Sequence, residues 1–167
     1  MFTGHIVGEV TDTGTTQTNP LGALYKDSAG RVWRYVKNGE ASAAFAQGKI
    51  VGAKAATADF HCILATTSMP ADRIKGSGGV AQHAIAAGSY GWVQCWGLGE
   101  ILAGTETIDV NEGVYVSATD AGTGMEEGTA VTAAGSTITA AHLAGPIAHA
   151  TENAAATALA TCFIQCL

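Results

Sequence analysis

Residues 79–99 read Gly-Val-Ala-Gln-His-Ala-Ile-Ala-Ala-Gly-Ser-Tyr-Gly-Trp-Val-Gln-Cys-Trp-Gly-Leu-Gly. The limb Trp92-Val93-Gln94-Cys95-Trp96 carries two of the chain's three tryptophans. The preceding Ala87-Gly88-Ser89-Tyr90-Gly91 places glycine where a positive φ costs least, so the stretch predicts strand, tight turn, strand. The phrase returns near the C-terminus. Gly79-Val80-Ala81-Gln82-His83-Ala84 matches Gly145-Pro146-Ile147-Ala148-His149-Ala150, and Trp92–Trp96 matches Phe163-Ile164-Gln165-Cys166-Leu167 after a connection five residues longer. A β-ribbon used twice predicts an all-β protein, a small barrel or sandwich built of short strands and hairpins.

Alternate side chains of a strand face opposite ways. Val93 and Cys95 therefore share one face with Cys162, Ile164 and Cys166. Trp92, Gln94 and Trp96 share the other with Phe163, Gln165 and Leu167. Both faces are apolar, so both are expected to be covered. Trp92 and Trp96 lie either in the chain's own core or against a neighbouring subunit.

Outward from this ribbon the chain divides into an extended N-terminal arm or edge strand with a loop (1–20) and a single β domain (21–167). An arm starting with Phe2, Ile6 and Val7 either docks on a neighbour or is a loose tail. Ala23–Lys26, the turn Asp27-Ser28-Ala29-Gly30 and Arg31–Lys37, with strong β formers from Val32 to Val36, read as a hairpin. Phe60–Thr67 reads as a strand and Met69–Gly79 as a loop. Thr105–Val110 and Gly113–Ser117 read as strands, 117–129 as a loop, and Val131 and Ile138 as flanks of a further hairpin. The alanine-rich Thr151–Ala160 reads as a short helix or a loop. Glycine-led phrases around Gly48, Gly113 and Gly128 precede short β-branched runs, as where a barrel turns a corner.

Charged residues make up 13% of the 167, and the formal net charge is −6. Lys and Arg total 8; their one cluster, Lys26–Lys37, reads as a solvated hairpin face rather than a nucleic-acid footprint. Scarce charge fits either a surface covered by copies or a partner, or one that is simply neutral. No run approaches the roughly 18–20 apolar residues of a membrane span, and the first residues lack a secretory signal's basic start and apolar core. The expectation is a soluble protein made in a cytoplasm, binding neither nucleic acid nor membrane. Its four cysteines are then buried thiols.

Catalytic and metal constellations are weak. Cys62, with His83 or His149 as base, would need a thiolate-favouring setting, yet it sits in an apolar strand. Cys162 and Cys166, four apart on a strand, lie about 13 Å from each other, too far for a disulfide or a zinc knuckle. A cross-strand Cys95–Cys166 pair is geometrically open if the two ribbon strands are neighbours. Glu126 and Glu127 lack calcium-loop spacing, and Gly76-Ser77-Gly78-Gly79 lacks the Lys-Ser/Thr of a phosphate loop. No catalytic residue, cofactor or metal is predicted, and the chain reads as a non-enzyme.

The ribbon at 79–97, the final ribbon at 145–167 and Gly113–Ser117 between them resemble the small β-barrel decoration (capsid cement) proteins of tailed-phage heads. The resemblance covers about a third of the chain. It implies a structural virion protein on the outer surface of the capsid, binding the major capsid protein lattice, often as a homotrimer. On that reading Phe2, Ile6, Val7, Trp92, Gln94 and Trp96 are candidate subunit or partner contacts. The alternative is a carbohydrate- or host-surface-binding β module in which exposed Trp33, Tyr35, Tyr90 and Trp92 form a stacking platform.

Overall fold

The computed structural model describes residues 7–55, 60–117, 120–126 and 145–167. The chain is all-β apart from one short helix. Its strands are β1 (Leu24–Lys26), β2 (Val32–Asn38), β3 (Ile50–Ala53), β4 (His61–Leu64), β5 (Gly79–Ala81), β6 (Tyr90–Leu102), β7 (Gly113–Val116), β8 (Gly124–Glu126), β9 (Ala148–Ala150) and β10 (Leu159–Gln165). They form one sheet in the order β1-β2-β4-β3-β5-β6-β10-β9-β7-β8, with β2 also paired to β6.

That extra pairing closes a ring. β2 runs parallel to β4, with Lys37 opposite His61 and Asn38 opposite Cys62. β4, β3, β5 and β6 follow antiparallel, and β6 returns to β2. Val36, Phe45, Val51, Cys62, Ala81, Ile85 and Val93 fill this first ring as one buried cluster. A second ring shares β6: its C-terminal half pairs with β10, then come β9, β7 and β8. It closes through a parallel bridge from Gly124 back to Ala103.

The two rings superpose position by position. Trp33↔Gln94, Tyr35↔Trp92 and Lys37↔Tyr90 in the first correspond to Leu98↔Phe163, Glu100↔Thr161 and Leu102↔Leu159 in the second. The bridge Phe45↔Ile85 corresponds to Ile108↔Ala154. Gly48 and Asn111 hold the same place, with φ of 78° and 69°, and donate their N–H groups to Ala81 and Ala150. Gly124 stands where Cys62 stands in the first ring, and a Cβ there would meet Val114 at 2.7 Å and Ile101 at 2.8 Å.

The repeat is therefore real, but its register differs from the sequence match. Gly79–Ala81 corresponds to Ala148–Ala150, not to 145–147, because Ala81 faces Val93 as Ala150 faces Cys162. The connections 82–89 and 151–158 are equal in length, and His83 and His149 are not equivalent. Matching letters aligned Gly and His, whereas the fold aligns the side chains that enter a ring.

Other expectations change for local reasons. Met69–Gly79 is not all loop: Pro70 caps a helix over Ala71–Lys75, with Asp72 in its first turn and Lys75 in its last, and Ile74 is buried beneath it. Thr105–Val110 is reduced to the single bridge at Ile108. The loop expected over 117–129 contains β8, and 151–158 is an irregular connection. The hairpin around Val131 and Ile138 lies outside the described residues. Arg34 is not solvated; it is buried and donates from Nη1 to the Gly78 carbonyl at 2.8 Å.

β6 passes from one ring to the other at a bend. Gly97 adopts φ 95° there. The Gln94 side chain, fully buried, donates from Nε2 to the carbonyls of Trp96, Gly97 and Leu98 at 3.1, 3.0 and 2.9 Å. Gln94→Met preserves volume but removes the donor. The lost donor is partly offset by removal of the amide oxygen, which is buried without a partner among the described residues; the unfolding free energy should fall by about 1–2 kcal/mol, read as a reduced urea midpoint.

Candidate functional site

Three of the four side chains expected to form an exposed aromatic platform are interior. Trp33, Tyr35 and Trp92 form one buried cluster, against which Val10, Leu21, Ala23, Tyr25 and Tyr90 pack. The Tyr35 and Trp92 ring centroids are 5.0 Å apart. The cover is the chain's own N-terminal segment and β1. Gly14 bridges to Tyr90, Thr18 N–H donates to the Tyr35 hydroxyl, and Asn19 holds both backbone groups of Val7. The described part of the arm thus lies on its own chain, and the sugar-stacking platform does not form. The turn beneath is set by Asp27. Its carboxylate accepts from Trp33 Nε1, from Arg31 Nε and from the Arg31 backbone, and these bonds hold its pKa low against the raising effect of burial.

The predicted contact residues separate. Phe2 and Ile6 lie outside the described residues. Val7 is exposed. Trp92 and Gln94 are buried within the chain, one under the arm and the other in the bend of β6, so neither is available to a partner. Trp96 is exposed at 38% and marks an uncovered surface.

That surface is the outer face of the β6–β10 pair. Leu98 lies opposite Phe163 and Leu102 opposite Leu159. The Trp96 and Phe163 rings meet edge to face at 5.2 Å. Leu98 is 55% exposed, Leu159 36% and Leu167 51%. Arg31 and Gly97 complete a shallow groove beside Trp96. Glu100, which accepts from Gln47, stands between Leu98 and Leu102 opposite Thr161, whose hydroxyl is bonded to Glu152; Arg31, paired with Asp27, lies at the margin. Taking about 200 Å² for a fully exposed side chain of this size, the four exposed residues present roughly 350 Å² of apolar surface. A patch of this size on a small protein is usually functional. The sequence had marked Trp96 but not Leu98 or Leu159. Their signal was the i, i+2 spacing continued past Gly97 into Leu98 and Leu102.

The cysteine chemistry considered from sequence is not assembled. Cys62 is fully buried inside the first ring, and strand alternation turns the adjacent His61 to the opposite face. Cys166 N–H donates to the Cys95 carbonyl at 2.8 Å, which sets the two cysteines side by side. Among the described residues, none of the four cysteines is in a disulfide. Burial pushes the Cys95 thiol up to about 11; Cys162, further raised by Glu152, and Cys166, further raised by Cys95, reach about 12. Among the described residues no group of three or more His, Cys, Asp or Glu is placed to hold a metal ion.

No family model and no curated protein matches the sequence. Among solved structures the chain is similar to the crystal structure of the N base of head fiber gp8.5 of bacteriophage phi29. The identity is 16% and the TM-score 0.49, with 81% of this chain and 95% of that chain covered. This is a resemblance between two folded chains and says nothing of this chain's partners.

High thiol pKa values and full burial together predict inertness. At about pH 8 a thiol-reactive reagent should label the native protein negligibly and all four cysteines once it is unfolded, as counted by mass spectrometry. His83 gives a pH dependence. Among the described residues both its ring nitrogens lie buried without a hydrogen-bond partner, and burial holds its pKa below the ordinary value. The unfolded chain takes up the proton first, near pH 6.5. The stability tied to a neutral His83 is therefore present above that pH and lost as pH falls below it. Between about pH 7 and about pH 5 the urea midpoint should fall less in His83→Leu than in the wild type.

Proposed function

We propose that this chain is a structural protein of a phage head, attached to the outer face of the assembled shell and stabilising it, with no catalytic activity. The observation that carries the reading is the apolar wall of β6–β10, held on the two rings. A rigid scaffold presenting one such face is suited to docking on another protein surface. The low charge content, 13% of residues, favours a surface partly covered in use. The resemblance of the two ribbons to tailed-phage decoration proteins supplies the class of partner, the major capsid protein lattice, and the homotrimer as the form in which it binds. On a lattice each weak contact is repeated many times, so modest single-site affinity suffices.

Purified protein mixed with assembled heads that lack it should co-sediment to a saturating, fixed number of copies per head, and should raise the temperature at which those heads fall apart. Protein that stays in the supernatant at every concentration refutes the reading.

A further inference from the structure

Charge on this chain is scarce and mostly negative, yet the fold gathers three cations that lie far apart in sequence. In the first ring Lys37 stands between Tyr90 of β6 and His61 of β4, opposite both. Lys54 continues the row: its N–H donates to the His61 carbonyl at 2.7 Å, one step beyond the Ala53–Cys62 pair. Val36, Val51, Cys62 and Val93 fill the ring, so alternation turns Tyr90, Lys37, His61 and Lys54 outward together. The short helix Ala71–Lys75 adds Arg73, whose Nη1 reaches the Lys54 carbonyl at 3.5 Å. Among the described residues Lys37, Lys54 and Arg73 form no ion pair. Lys37 Nζ lies over the Tyr90 ring at 5.3 Å, and Lys54 Nζ donates to the Gly39 carbonyl at 3.3 Å. Two carboxylates are near in sequence. Glu40 accepts from the Leu64 N–H at 2.8 Å, and Asp72 precedes Arg73 on the helix; neither pairs with the row.

We infer that this row is a docking surface for a short acidic segment of a partner protein. Cations gathered on neighbouring strands repel one another. Ring and carbonyl contacts soften that repulsion without neutralising it, and an anionic partner removes it. The length of the row selects a peptide. Four strands about 4.8 Å apart make it about 14 Å long, and an extended segment rising about 3.3 Å per residue covers that with about five residues, alternate side chains facing the cations. A nucleic acid is held through about six to ten phosphate contacts, more than three cations supply, and a long polyanion would run past the row onto a chain of net charge −6. The row lies where β6 begins and the apolar wall beyond the bend at Gly97, so the inference stands apart from the shell-facing role of the wall.

Fluorescence anisotropy tests it, with a fluorescein-labelled peptide of alternating glutamate and serine. The same peptide with glutamine for glutamate is the neutral control, and a labelled oligothymidylate of similar length is the nucleic-acid probe. The proteins are wild type, Lys54→Glu and Lys26→Glu. Both lysines are exposed, both substitutions change the net charge equally, and Lys26 lies on β1 opposite Val32, at the far end of β2 from Lys37. The acidic peptide should bind wild type at low ionic strength and be released as salt rises, while the neutral peptide should not bind. Lys54→Glu should weaken binding about tenfold and Lys26→Glu by less than about twofold, with circular dichroism unchanged in both. Should Lys54→Glu misfold, Arg73→Gln takes its place and should also weaken binding more than Lys26→Glu does. Failure of the acidic peptide to bind at low salt, equal weakening by the row and control substitutions, or tighter binding of the oligothymidylate than of the peptide overturns the inference. None of these measurements involves heads, so their failure leaves the attachment proposed above untouched, and failure of the head assay leaves the row untouched.

Discussion

The side-chain amide of Gln94 holds the architecture together. β6 is long enough to belong to two barrels only because it bends at Gly97, and a bend in the middle of a strand takes carbonyls out of line with their neighbours. Gln94 Nε2 gathers three of them. Gly97 supplies the positive φ, and an ideal Cβ there would lie 3.2 Å from the Arg31 backbone. A buried amide is costly when unpaired and stabilising when its protons are used. Here it converts one strand into the common wall of two rings, so the first barrel fixes the orientation of the second.

Everything inside the rings follows from that shared wall. Each ring has room for a few side chains, and both choose them at the same positions: Val36, Phe45, Val51, Ala81, Ile85 and Val93 in one, Ile101, Ile108, Val114, Ala150, Ala154 and Cys162 in the other. The volumes differ while the places do not. Where the first ring spends Phe45 and Ile85 on its bridge, the second uses Ile108 and Ala154. Where the first accommodates Cys62, the second closes down on Gly124. Interiors packed to crystalline density tolerate such exchanges only when a gain at one position offsets a loss at another.

Much of this was legible in the sequence. The ribbon at 79–97 forms as an antiparallel pair, β5 and β6, but over an eight-residue connection rather than a tight turn; the β1–β2 hairpin forms as read, its turn fixed by the Asp27 carboxylate. The adjacency of the two repeated strands was an open question that the β6–β10 pairing answers. What the letters hid was register. Gly, His and Ala recur for reasons of turn and solvent, whereas ring positions are held by a mixed set of small and β-branched residues with no common letter. Burial of Trp33, Tyr35 and Trp92 was hidden because the covering residues, Val10, Leu21 and Ala23, are distant in sequence and too sparse to read as a strand. Of the candidate contacts, Trp96 could be found from alternation alone. Gln94 shares its parity yet is buried, because its side chain folds along the strand onto the carbonyls of Trp96, Gly97 and Leu98.

The bend also marks where the outer face of β6 leaves its cover. Before Gly97 the outward side chains of β6 lie beneath the N-terminal segment. Beyond it they emerge from that cover, and the pairing of Leu98 with Phe163 and of Leu102 with Leu159 extends the emergence across a second strand. Trp96, Leu98, Leu159 and Phe163, held on paired strands, form a surface that loses little side-chain entropy when covered, because the backbone beneath is already fixed on both sides. A loop with the same composition would have to be ordered first. The bend that joins the barrels is thus also the point at which the outer face of β6 passes out from under the N-terminal segment and becomes a pre-formed apolar wall.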